Sequence, residues 1–150
     1  MSPATPTLAD LPVPVPAGIT LTELLDAVQD WRGRPLRLRE VPEFAEDGTV
    51  NGVWLATQSE DLILYAPTAS RLHQEQFILH EVAHMLLDHG HLDAGVVTMD
   101  LPGDLPDDID TALARGCIGD EREIHAEAVA DLLATRIRAR RRSRFAEILG

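Results

Sequence analysis

Cysteine is nearly missing from this chain: Cys117 is the only one in 150 residues. An internal disulfide is thereby excluded, and the composition fits a reducing compartment. Basic charge is also scarce. Lys+Arg number 13 against 25 Asp+Glu, a formal net charge of -12. That balance favours solubility and argues against general nucleic-acid binding. No apolar run approaches the length of a membrane-spanning helix, so no membrane partner is expected. Residues 1–18 have neither a basic n-region nor an apolar h-region, so they do not read as a secretory signal. There is no internal repeat. These absences lead to the expectation of a cytoplasmic protein.

What is present is enough for one folded unit. Pro3, Pro6, Pro12, Pro14 and Pro16 fall within residues 1–18, which read as a flexible, extended leader. Residues 19–150 read as a single domain. Thr20-Leu21-Thr22-Glu23 is a capping box that opens a helix to about Arg32, with an apolar stripe of Leu21, Leu24, Leu25, Val28 and Trp31. Leu36 to Val41 alternates with period two, as a half-buried strand does. Gly52–Thr57 and Asp61–Tyr65 flank Gln58-Ser59-Glu60 and predict a hairpin. A helix follows over roughly Thr68 to His89, with Thr68 or Ser70 as its cap. Residues 92–119 form a long acidic loop broken by Pro and Gly, with a short helix at Asp107–Arg115. From Asp120 a helical pattern with apolar Ala126, Val129, Ala130, Leu133, Ala134 and Ile137 runs into the basic stretch Arg136–Arg144. That stretch holds six arginines in nine residues. It could touch phosphate, but the acidic remainder repels nucleic acid, so it reads as a solvated helix end. The class is α+β.

The pattern that organises the chain is His80-Glu81-Val82-Ala83-His84, an HExxH within the predicted 68–89 helix. Residues four apart share a helix face, with Cβ atoms about 5–6 Å apart, so both imidazoles can reach one Zn²⁺. Glu81 projects beside the pair, where it can meet a metal-activated water. The alternative is two histidines on a solvated helix surface. The apolar neighbours Val82, Ala83, Met85 and Leu86 argue against it, because buried His and Glu need a partner.

A catalytic zinc takes a third protein ligand. Asp88, His89 and His91 are nearby, but the longer pattern HExxHxxGxxH requires Gly where Leu87 stands and His where Gly90 stands. Cys117 stands in a loop with no ligand partner near it in sequence. On the later helix Glu123, Glu127 and Asp131 are spaced four apart and share one face.

These residues resemble a known family. His80-Glu81-x-x-His84 with Leu86-Leu87-Asp88-His89 after it, and the run Glu127-Ala128-Val129-Ala130-Asp131-Leu132-Leu133-Ala134, are similar to the HExxH…ExxxD pattern of the ImmA/IrrE metallo-endopeptidases. The hairpin sequence GVWLATQSEDLILY resembles their short actinobacterial members. The resemblance spans about Leu21 to Ala139 and lacks the helix-turn-helix region of some relatives. It implies a minimal zincin-like domain, with a small sheet and hairpin packed on the HExxH helix and a second motif helix. By position it implies His80, His84 and Glu127 as Zn²⁺ ligands and Glu81 as general base. Asp131 becomes the carboxylate holding a ligand histidine by its free ring N–H. Glu123 is the rival third ligand, but only Glu127 begins the ExxxD run. Tyr65, His91 and His125 are candidate oxyanion donors.

The implied activity is zinc-dependent peptide hydrolysis. The implied substrate is a helix-turn-helix transcriptional repressor, with an extended segment adding to the strand nearest the HExxH helix. The alternative is a non-catalytic, zinc-stabilised interaction module of a regulatory or toxin–antitoxin pair, whose metal would be closed off by four protein ligands.

Overall fold

The computed structural model describes residues 5–44, 51–87, 109–114 and 120–149. Helix α1, Leu21–Arg32, begins at the expected capping box: Glu23 N–H donates to Thr20 Oγ1 at 3.0 Å, and Thr20 N–H to Glu23 Oε1 at 3.1 Å. It ends at Gly33, whose φ of 71° closes the last turn with an N–H bond to Gln29 O. Leu24 and Val28 are buried, whereas Trp31 at the end of the stripe is 39% exposed.

Strand β1 is Leu36–Glu40, β2 is Gly52–Thr57 and β3 is Asp61–Tyr65. The β2–β3 hairpin forms as expected, antiparallel, with Thr57 Oγ1 accepting from the N–H groups of Ser59 and Glu60 across the turn. β1 pairs with β3 in parallel. It is not half-buried: only Leu36 is covered, because β1 is the edge of the sheet. β2 and β3 do not alternate, because both faces of the hairpin are packed. Trp54, Ala56 and Ile63 face the main core, while Val53, Leu55, Leu62 and Leu64 join Val41, Phe44 and Ala66 in a second cluster.

A fourth strand, β4, Ile109–Ala114, pairs antiparallel with β2, giving the order β1-β3-β2-β4. This corrects the short helix read at Asp107–Arg115. The apolar run there suits either structure, and pairing with the free edge of β2 satisfies backbone groups a lone short helix would leave open. Because β2 is flanked by β3 and β4, the strand beside the HExxH helix has no free edge, and the expected strand addition to it is also corrected.

Helix α2, Arg71–Leu86, carries HExxH. Its cap is Ser70, whose Oγ accepts from His73 N–H at 3.3 Å. Every residue from Ile78 to Leu86 is buried. Helix α3, Asp120–Leu149, buries the expected stripe Ala126, Val129, Ala130, Leu133, Ala134 and Ile137 against it. The cross-contacts His80–Glu127 and Gln76–Asp131 show that the two helices run antiparallel. Side chains of the arginine run from residue 140 onward lie outside the described residues.

The N-terminal residues correct the reading of a flexible leader. Val13 and Ile19 are buried, Leu8, Leu11 and Val15 pack on the core, and Gly18 N–H donates to Arg136 O at 2.8 Å. The apolar side chains between the prolines give this segment something to bury, which the proline count alone conceals. Asp61 ties α1 to the hairpin from a fully buried position. Arg32 binds it through two 2.8 Å hydrogen bonds, Trp54 Nε1–H donates at 3.2 Å, and the Arg32 guanidinium lies over the Trp54 ring. No helix among the described residues is long and apolar enough to cross a membrane.

Candidate metal centre

His80 and His84 sit one turn apart on α2, their rings 4.8 Å apart at the centroids and nearly perpendicular. Their Nε2 atoms are 3.2 Å apart. Glu123, from the first turn of α3, reaches both: Oε2 lies 3.1 Å from His80 Nε2 and Oε1 lies 3.2 Å from His84 Nε2. Zinc–nitrogen bonds of about 2.0–2.1 Å in a tetrahedron place neighbouring donors about 3.3–3.4 Å apart. The two imidazole nitrogens are close to that spacing, and with one oxygen of Glu123 the three donor atoms lie within 4.8 Å of one another. His80 and His84 are 5% and 1% exposed. Two buried imidazole nitrogens and a carboxylate aimed at one point suit a cation. Among the described residues, His80, His84 and Glu123 form the one group able to hold a metal ion.

The electrostatics agree. Burial pulls the His80 pKa down, but Glu123, Glu81 and Glu127 together overcome it and hold it above the ordinary value. Burial and the neighbouring His80 hold His84 below that value, against the opposing pull of Glu123. Burial pushes the Glu123 carboxyl up, but hydrogen bonds from both histidines outweigh this and hold it well below the usual carboxylate range. Glu123 is therefore anionic at neutral pH, as a ligand must be.

The position of the third carboxylate differs from expectation. Glu127 stands on the other side of His80, where Nδ1–H donates to Oε2 at 2.9 Å. That contact fixes the tautomer and leaves Nε2 for a metal. Asp131, expected in that role, instead accepts from Gln76 Nε2 at 3.1 Å. The cause is the antiparallel pairing of α2 and α3. Each turn forward on α3 moves one turn back along α2, so Glu123 faces both histidines, Glu127 faces the far side of His80, and Asp131 faces Gln76. Glu123-Ile124-His125-Ala126-Glu127 carries its own sequence signal, an ExxA run followed by an acidic residue.

Glu81 is 1% exposed. A Cβ on Gly52 would lie 3.2 Å from both Cγ and Oε1 of Glu81, so the start of β2 leaves a slot that the carboxylate fills. Tyr65 is paired with Gly52 across the hairpin, and its hydroxyl accepts from Gln74 Nε2 at 3.3 Å. His125 is half-buried, and its side chain makes no hydrogen bond or ion pair among the described residues. His91, Cys117, Asp88 and His89 lie outside the described residues.

A small cleft of about 50 Å³ adjoins the centre, lined by Asn51, Gly52, Gln76, Phe77, His80, Glu81 and Glu127. It touches the motif through His80 and Glu81, and His84 and Glu123 lie outside its lining. Compared with known proteins, the chain matches no family model, no curated protein and no solved structure.

Proposed function

We propose that this chain is a zinc-dependent metallo-endopeptidase of the ImmA/IrrE type. His80, His84 and Glu123 would hold the metal. The observation that carries this reading is the convergence of two buried Nε2 atoms and a carboxylate at 3.1–3.2 Å from one another, with the buried Glu81 carboxylate beside them at a cleft. Bound zinc supplies Lewis acidity at this position, acidifying water and polarising a carbonyl.

The other roles belong to the protein. Glu81 accepts the proton of the attacking water and passes it to the leaving amine as the peptide C–N bond breaks. Gly52 keeps the space in which that carboxylate sits. Glu127 orients His80 through Nδ1. A zinc-held interaction module would enclose its metal with four protein ligands, whereas the group found among the described residues has three. The substrate class supported by the resemblance of the two motifs is a helix-turn-helix repressor. Co-expression with such a repressor tests the reading: the unaltered protein should yield repressor fragments and Glu81→Gln should not. Full cleavage by the variant would overturn it.

A further inference from the structure

We propose that the cleft beside the metal centre is a pocket for the guanidinium of an arginine side chain. As a statement about substrate, namely arginine-containing peptides, this rests on the peptidase reading. As a statement about binding, it does not.

The outer wall of the cleft carries the argument. The Glu127 side chain is 45% exposed, and its Oε2 takes the Nδ1–H of His80. Its Oε1 has no hydrogen bond among the described residues, so an anionic acceptor lines the cleft with capacity to spare. Gln76 spends its Nε2 on Asp131, which leaves its side-chain carbonyl as an acceptor. The Asn51 side chain makes no hydrogen bond among the described residues, and Phe77 adds a half-buried aromatic ring. None of the described lining residues is a lysine or arginine.

The Glu127 carboxylate, two amide carbonyls and an aromatic face suit a flat cation with several donors. Guanidinium is that group: its fork pairs with carboxylate, its plane stacks on rings, and it gives up water more readily than an ammonium ion. A lysine would use the charge but not the plane. An acidic side chain would meet Glu81, Glu127 and, one turn on, the exposed Asp131. The cleft is small, about 50 Å³, and so suits the flat head of one side chain more than an extended ligand.

The test uses the full chain loaded with zinc. N-acetyl-arginine amide and N-acetyl-citrulline amide have nearly the same shape and differ in charge. Each is titrated while the backbone amide signals of Gly52 and Phe77 are followed by NMR. Arginine should bind roughly ten- to hundredfold tighter, the range of charged hydrogen bonds, and shift both signals. The preference should shrink in Glu127→Gln. Because that change also touches His80, Asn51→Leu serves as a second variant, weakening arginine binding several-fold with zinc content intact. Equal binding of the two probes, or shifts confined to other residues, would overturn the proposal. Peptides carrying arginine or citrulline near the scissile bond separate the two readings. Arginine binding without cleavage of any peptide leaves the pocket and removes the peptidase. Cleavage indifferent to arginine and citrulline removes the pocket and leaves the peptidase.

Discussion

Replacing Glu81 with glutamine changes one atom in the slot beneath Gly52 and removes one negative charge. The side chain is 1% exposed, with Cγ and Oε1 each 3.2 Å from where a Gly52 Cβ would stand. Glutamine has the same length and branching, so it fits without displacing β2, and the change in stability should stay within about 1 kcal/mol. His80, His84 and Glu123 keep their positions. Glu81 is one of the charges that raise the His80 pKa, so its loss makes His80 easier to deprotonate and does not weaken metal binding. What disappears is a group able to take a proton at neutral pH. Turnover should fall at least ~10²-fold, the usual contribution of a general base. The assay pairs zinc content and Tm with repressor fragments followed by immunoblot after co-expression. A variant with intact zinc, intact Tm and undiminished cleavage would refute the role of Glu81.

Three further outcomes follow from the same geometry. Gly52→Ala should push the Glu81 carboxylate by a few tenths of an ångström and cut turnover several-fold with zinc content unchanged, since misplacement by 1 Å can cost ~10²-fold; kinetics and metal analysis on one preparation check it. Asp61→Ala leaves Arg32 and the Trp54 Nε1–H without their buried acceptor and should cost about 2–4 kcal/mol in urea unfolding, less than a fully buried pair because Arg32 is partly solvated; a loss below 0.5 kcal/mol would count against the anchor. Zinc affinity should fall as pH drops, because metal binding at Nε2 expels a proton that His80 retains above its ordinary value near 6.5, whereas His84 is already neutral there. The same shift stabilises the metal-free fold fully below pH 6.5 and fades as pH rises through the raised value, so metal-free and loaded proteins should diverge in stability as pH increases; melting curves from pH 5 to 9 with and without zinc test this.

The features legible in sequence were local. The capping box at Thr20, the hairpin around Gln58-Ser59-Glu60 and the apolar stripes of α2 and α3 are fixed by neighbours within a few residues, and the structure has all of them. The choice between Glu123 and Glu127 is not local. Both lie on the same face of α3, and the axial stagger of α3 against α2 decides which one meets two imidazoles. β4 escaped for a related reason, because Ile109–Ala114 becomes a strand through β2, a partner more than fifty residues earlier. The Asp61–Arg32–Trp54 network joins α1 to the hairpin across the fold, and no single stretch announces it. In the N-terminal segment the prolines read as an extended chain, while Val13 between them decides its burial.

The central claim is that Glu123 and the two histidines are the metal ligands and that Glu127 acts through His80. Zinc retained after dialysis against a mild chelator, measured on the unaltered protein and on His80→Ala, Glu123→Ala and Glu127→Ala, tests it most directly. The unaltered protein should keep one zinc per chain, and His80→Ala and Glu123→Ala should keep almost none. Glu127→Ala should keep its zinc with affinity lowered roughly 10–100-fold, the usual effect of removing a partner behind a ligand. Full zinc in Glu123→Ala with loss in Glu127→Ala would contradict the assignment.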